Sequence, residues 1–184
     1  MSSLEGQLLI AMPGMADPNF NETVTYICKH DSEGAVGIVV NRASDMTLGE
    51  VCKQLSLEGE LGETEDQPIM NGGPVHPDRG FVLHQSDHAF DSTFDAEAEV
   101  KVTVSQDILK SIARGDGPEP ALVALGYAGW ASGQLESEIA ANAWLSVPTA
   151  PAILFDTPID ERWEAAAALI GIDIRQVTSY AGHA

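Results

Sequence analysis

Gly72 and Gly73 are followed by Pro74, His76 and Arg79, a grouping that can bind. Adjacent glycines let backbone N–H groups approach a ligand, and a guanidinium pairs with a carboxylate or phosphate. The same residues also suit a tight turn between two strands, with Arg79 in a salt bridge. Asn41 and Arg42 close the apolar run AVGIVV, where polar side chains line a cleft at a sheet edge or cap the strand end. In GYAGW, Tyr127 and Trp130 offer aromatic faces with polar tips, and Ser132 and Gln134 open a helix whose N-terminus suits an anion. Packing is the simpler role for the aromatics. Glu136 and Glu138, two apart, do not share a helical face and make a poor acid pair.

A metal reading gathers His84, Asp87 and His88, with His76 and Asp91 nearby. His84 and His88 have the i, i+4 spacing that a helix turns into a ligand pair, but the segment begins as a strand and enters an acidic loop, so no metal is assigned. Cys28 is flanked by Lys29 and His30, yet successive strand residues point to opposite faces, which separates the thiol from Lys29 and leaves it inert. No G-x-S-x-G, G-x-x-x-x-G-K-[ST], H-E-x-x-H or G-x-G-x-x-G occurs. No catalytic residue and no cofactor is assigned.

The elements that must position these groups follow from periodicity and turn chemistry. Residues 7–12, 23–29 and 35–41 read as strands, the first two separated by the turn-rich PGMADPNF around Pro13. Thr47 and Glu50 have capping-box spacing for a short helix to residue 54. Five acids in residues 58–66 mark a solvated connection. Strands are expected at 68–75, 79–85, 99–105 and 121–130, the last entering a glycine-rich bend, with two more at AWLSV and AILF. Ser105 and Ser132 are read as caps of two further helices, and Thr157, Pro158 and Asp160 as the start of a closing helix with Trp163, Ala166, Ala167 and Ile170 inward, ended by Gly171. About eight strands and four helices without βα alternation favour an α+β fold: a mixed, mostly antiparallel, strongly bent sheet or partly open β-barrel with helices outside.

The chain has 184 residues, 44% apolar and 20% charged, the profile of one globular domain spanning 1–184. Nine bases against 28 acids give a net charge of −19, a field that repels phosphate polyanions and anionic membrane surfaces. Direct nucleic-acid binding is therefore disfavoured. The apolar run at 8–12 is far too short for a signal or membrane segment, and Cys28 and Cys52 have no Cys-x-x-Cys spacing. A cytoplasmic protein with reduced thiols is expected.

Four segments go beyond generic patterning: LLIAMPGMADPNFNETVTYICKH (8–30), NGGPVHPDRGFVLH (71–84), GYAGWASGQLESEIAANAW (126–144) and TPIDERWEAAAALIGID (157–173). Together they resemble the bacterial YqgE/AlgH family, in order, from about residue 4 to about residue 175. The resemblance implies a cytosolic α+β protein with a bent, partly open barrel, an old label of transcriptional regulator, and no known catalytic residues. No helix-turn-helix accompanies that label, because the expected helices are isolated between strands and the most basic carries only Lys110 and Arg114.

These readings converge on a binding or regulatory module that acts through a protein partner or ligand. Its cleft is expected where Pro13, Asn41 and Arg42, Gly72–Gly73–Pro74 with Arg79, and Tyr127 to Trp130 gather at strand ends. The alternative is a hydrolase for a small anionic or peptidic substrate, with Arg79 or Arg42 holding the anion and His30, His76 or His84 as base. A homo-oligomer joined through a sheet edge is a third option.

Overall fold

The computed structural model describes residues 2–87, 90–94 and 99–177. Among these, the chain forms β1 (Gln7–Ala11), β2 (Val24–Asp31), β3 (Gly34–Val39), β4 (Ala43–Thr47), α1 (Leu48–Gln54), β5 (Pro68–Asn71), β6 (Val75–His84), β7 (Thr93–Phe94), β8 (Lys101–Thr103), α2 (Asp107–Ala113), β9 (Ala121–Ala131), α3 (Gln134–Ala140), β10 (Trp144–Pro148), α4 (Pro151–Phe155) and α5 (Arg162–Ala168). The sheet runs β10-β1-β2-β3-β9-β6-β8-β7, with β4 and β5 attached beside β9. Every pairing is antiparallel except β5 with β9. The fold is α+β, a strongly curled half-barrel sheet with helices packed on it.

β9 organises the curl. Its second half pairs with β3 and its first half with β6 and β5. Where it changes partner, the β6 register breaks between Val75 and Gly80, opposite Gly126 at φ +83°. A second break lies in β2 between Ile27 and Lys29. Such bulges bend a strand and increase its twist, and so help curl the sheet.

Three apolar clusters hold the layers together. One fills the half-barrel and is closed by Ile153, Leu154, Trp163 and Ala167 of α4 and α5. Another sets α1 and α2 against Ile69, Val82 and Val123. The third joins Leu135 of α3 to Trp130 and Trp144.

Several local expectations are corrected. AILF is helix, not strand, because Pro151 at the first helical position presets φ and the short apolar run has no period of its own. GYAGW does not end the strand: β9 passes through the irregularity at Gly126 and continues to Ala131, with Gly129 opposite Val36. Ser132 does not cap α3; its hydroxyl donates to Ser32 O, and Gly133 at φ +76° occupies the cap. Ser105 donates to Asp107 Oδ1 rather than capping α2 from the cap position. Thr157 donates back to Ala152 O, and α5 begins only at Arg162, after a 3-10 turn at Ile159–Glu161. Ile170, expected inside, is 43% exposed, since α5 ends at Ala168. Thr47 does cap α1, its hydroxyl accepting from Glu50 N at 3.2 Å. β4 and β7 had no sequence signal.

Candidate functional site

The Gly72–Gly73 pair is a seam between strands. Gly72 N donates to Leu125 O and Gly72 O accepts from Val39 N, both at 2.8 Å, so this residue ties β9 to β3 at the point where β9 changes partner. A Cβ on Gly72 would lie 2.3 Å from Gly126 O, and one on Gly73 2.2 Å from Tyr127 C. Only glycine permits that approach. Pro74 is exposed and leads into β6.

Asn41 and Arg42 are tied to the loop that begins near Pro13. Asn41 Oδ1 accepts from Val24 N and its Nδ2 donates to Glu22 O, each at 2.8 Å. Arg42 donates to Pro18 O at 2.6 Å and to Asn21 O at 2.8 Å, and its own carbonyl accepts from Asn71 N at 2.7 Å. Pro13 lines a cavity of about 200 Å³ with Asn21, Glu22, Trp163 and Arg175. The Pro13 loop, Asn41–Arg42 and Asn71, the residue before Gly72, are thus linked by hydrogen bonds, with the Arg42 guanidinium engaged by the loop.

Tyr127 stands beside Gly73, its ring stacked on His76 at 5.9 Å and edge-on to Phe81 at 5.8 Å. Arg79 lies 5.8 Å from the Phe81 ring centre. Trp130 faces the other side of β9: it packs with Leu135 and Trp144, whereas Tyr127 packs against the half-barrel core. Glu138, set aside as half of a poor acid pair, accepts from both Trp130 and Trp144. Glu136 takes its bond from His30 Nε2 at 2.8 Å, which holds its carboxyl below the usual range.

His84, one of the bases of the hydrolase alternative, and Cys28, read as inert, are both held by neighbouring groups. His84 is fully buried, with Nε2 at 2.7 Å from Thr103 Oγ1 and Nδ1 accepting from Ser86 N; burial, then Lys101, pushes its pKa down. Its metal partner by spacing, His88, lies outside the described residues. Cys28 donates to Val36 O, and burial pushes its thiol up to about 12. That disfavours a thiolate nucleophile.

Two larger cavities flank the β5–β9 region. A groove of about 490 Å³ lies between α1, α2 and the β6 bulge, lined by Met46, Val51, Leu55, Pro77, Phe81 and Leu109. A cavity of about 320 Å³ is walled by Leu48, Met70, Leu122, Leu154, Phe155 and Ile159, with Arg162 among its lining. Arg162 is 7% exposed, and burial lowers its pKa to about 10. Its Nε donates to Thr157 O at 3.0 Å and its Nη1 to Val40 O. Sequence reasoning missed Arg162, although it lies four residues before Ala166 on the stripe taken as apolar.

A curled antiparallel half-barrel enclosed by helices, with apolar cavities beside its central strand, defines the class. The chain belongs to the AlgH-like family, whose profile matches residues 8–175. It is 49% identical over 181 residues to a UPF0301 protein of Xanthomonas campestris, covering 98% of this chain and 96% of that one. A UPF0301 protein of Thioalkalivibrio sulfidiphilus is 51% identical over 183 residues, covering 100% and 98%. The solution structure of the AlgH protein from Pseudomonas aeruginosa superposes with a TM-score of 0.79 at 50% identity, over 100% of this chain and 99% of that one. A crystal structure from Corynebacterium diphtheriae shares the fold at a TM-score of 0.78 and 19% identity, over 97% and 93%. Among the described residues no helix is long and apolar enough to cross a membrane.

Proposed function

We propose that this protein is a cytosolic binding module that acts through a ligand or protein partner and not by gripping DNA. The observation that carries the reading is the 320 Å³ cavity, a partly open and more apolar than polar pocket with a buried guanidinium in its lining, the usual make-up of a small-molecule site. The fate of the basic residues supports the second half. Of the nine Lys and Arg, Lys29, Lys101 and Arg175 sit within 4.0 Å of carboxylates, Arg42 is bound to backbone carbonyls, and Arg162 is buried. Few are left to displace counter-ions from a duplex, and 28 acids oppose them. The unpaired thiols Cys28 and Cys52 suit a reducing compartment.

The test has two arms. A gel-shift titration with purified protein and duplex DNA at low salt is expected to show no retardation at micromolar protein, and a salt-dependent shift at sub-micromolar protein would overturn the reading. Native mass spectrometry of protein purified without added ligands is expected to show an adduct that denaturation removes.

A further inference from the structure

The Arg162 guanidinium has no carboxylate within 4.0 Å among the described residues. Its Nε and Nη1 are engaged by Thr157 O and Val40 O, which leaves the two N–H groups of Nη2 without an acceptor among the described residues. The side chain is more than nine-tenths buried and lines the 320 Å³ cavity. A buried cation without a counter-charge is costly to keep. The Nη2 edge is not sealed from solvent, so an anion in the cavity takes the place of water on it and supplies the missing charge.

We propose that this cavity binds a small carboxylic acid with an apolar tail, the carboxylate on Arg162 Nη2 and the tail against Met70, Leu122, Leu154 and Phe155. The inference rests on the binding-module reading and names its ligand class. Three observations select this chemistry. One guanidinium neutralises one charge, while Glu119 stands at the exposed rim of the cavity and the whole chain carries −19; a phosphate dianion gains less here than a monoanion. Apolar surface makes up the larger share of the remaining walls, beside Thr64, Gln67 and Glu119, so an apolar body supplies most of the contact. The volume of 320 Å³ holds about ten non-hydrogen atoms at roughly 30 Å³ each, a carboxylate carrying about seven more carbons. A free acid and the apolar C-terminus of a peptide share this chemistry.

Isothermal titration at pH 7.5 with octanoate, octanol, acetyl-leucyl-leucine, of which only the C-terminal leucine enters the cavity, and its C-terminal amide tests it on the intact chain. Octanoate or the free-acid dipeptide is expected to bind with a dissociation constant below about 1 mM and at least about tenfold more tightly than its neutral counterpart. Whichever acid binds more tightly identifies the source. Arg162→Met is expected to abolish that preference. Because Arg162 also holds Val40 O and Thr157 O, a second variant is needed: Ile159→Trp fills the cavity from a half-buried position and leaves the guanidinium untouched. It is expected to weaken octanoate binding about tenfold or more with its melting temperature retained. Absence of binding by either acid, equal binding of acid and neutral probe, or unchanged binding by folded Ile159→Trp overturns the proposal. None of these results alters the gel-shift outcome, so failure here is distinguishable from failure of the binding-module reading.

Discussion

The indole N–H groups of Trp130 and Trp144 converge on one oxygen, Glu138 Oε1, at 3.1 and 3.0 Å. The two rings meet edge to face with centres 6.0 Å apart, and Phe20 packs against both. Their exposures are 6% and 2%, so removing the acceptor strands two buried donors at about 1–3 kcal/mol each. Glu138→Ala is expected to lose about 2–4 kcal/mol, and Glu138→Gln, which keeps a carbonyl oxygen, about 1 kcal/mol. Urea unfolding followed by tryptophan fluorescence measures both; equal losses would mean the shared acceptor contributes nothing.

The glycine seam makes a sharper demand. Gly73 has φ +151° and the backbone of Tyr127 where a Cβ would stand, and backbone cannot rotate away as a side chain end can. Gly73→Ala is expected to cost more than about 4 kcal/mol or to prevent folding. Gly133→Ala is the control: φ is +76° with nothing within 4 Å, so only the left-handed conformation is penalised, at about 1–2 kcal/mol. Thermal unfolding of the two variants separates close packing from conformation; similar losses would remove the seam as the reason for Gly73.

The sequence made the strand core legible because apolar β-branched runs such as AVGIVV need burial on both faces, and the neighbours Ile38 and Val39, which point to opposite faces, are both buried. It misled where a local signal had two uses. A serine caps a helix only if it stands at the cap position with its oxygen accepting from the free N–H groups of the first turn, but the α3 cap falls one residue later, at Gly133, and the Ser132 hydroxyl donates to Ser32 O instead. The Gly72–Gly73 pair drew attention as a ligand cradle because backbone proximity to another strand and to a ligand require the same residue. Arg162 escaped because a lone base beside Trp163 reads as the polar edge of an amphipathic helix; only its i, i+4 relation to Ala166 placed it on the buried face. Whether Pro13, Asn41, Arg79 and Tyr127 serve a ligand depends on chemistry that spacing does not encode.

Thiol chemistry gives a third prediction. Cys28 is 3% exposed with its thiol pushed up to about 12, and Cys52, 5% exposed, is also raised by burial. The thiolate is the reactive species, so iodoacetamide at pH 8 is expected to leave both unmodified in the folded protein and to alkylate both in denaturant. Mass spectrometry counts the adducts. Rapid single alkylation of the native chain at Cys28 would show an accessible thiolate and overturn the reading of this thiol as inert.

His84 gives a pH dependence with a defined sign. The ring is held neutral: Nδ1 accepts from Ser86 N at 3.2 Å, Nε2–H donates to Thr103 Oγ1, and Thr103 continues to Thr93 at 2.8 Å. Burial and then Lys101 lower its pKa in the folded state, while the unfolded side chain titrates near 6.5. The unfolded chain therefore binds the proton first. Stability contributed by neutral His84 is complete above about pH 6.5, declines as pH falls through that value, and stops declining below the folded pKa. Glu136 acts in a separate window: its lowered pKa, due first to the bond from His30, contributes stability that is lost only as pH falls through the carboxylate range. His84→Gln keeps a donor for Thr103 but does not titrate. Denaturation free energies from pH 7.5 to 5 are expected to fall less steeply for the variant than for the native sequence. Parallel curves across that range would show that the buried ring does not couple protonation to folding.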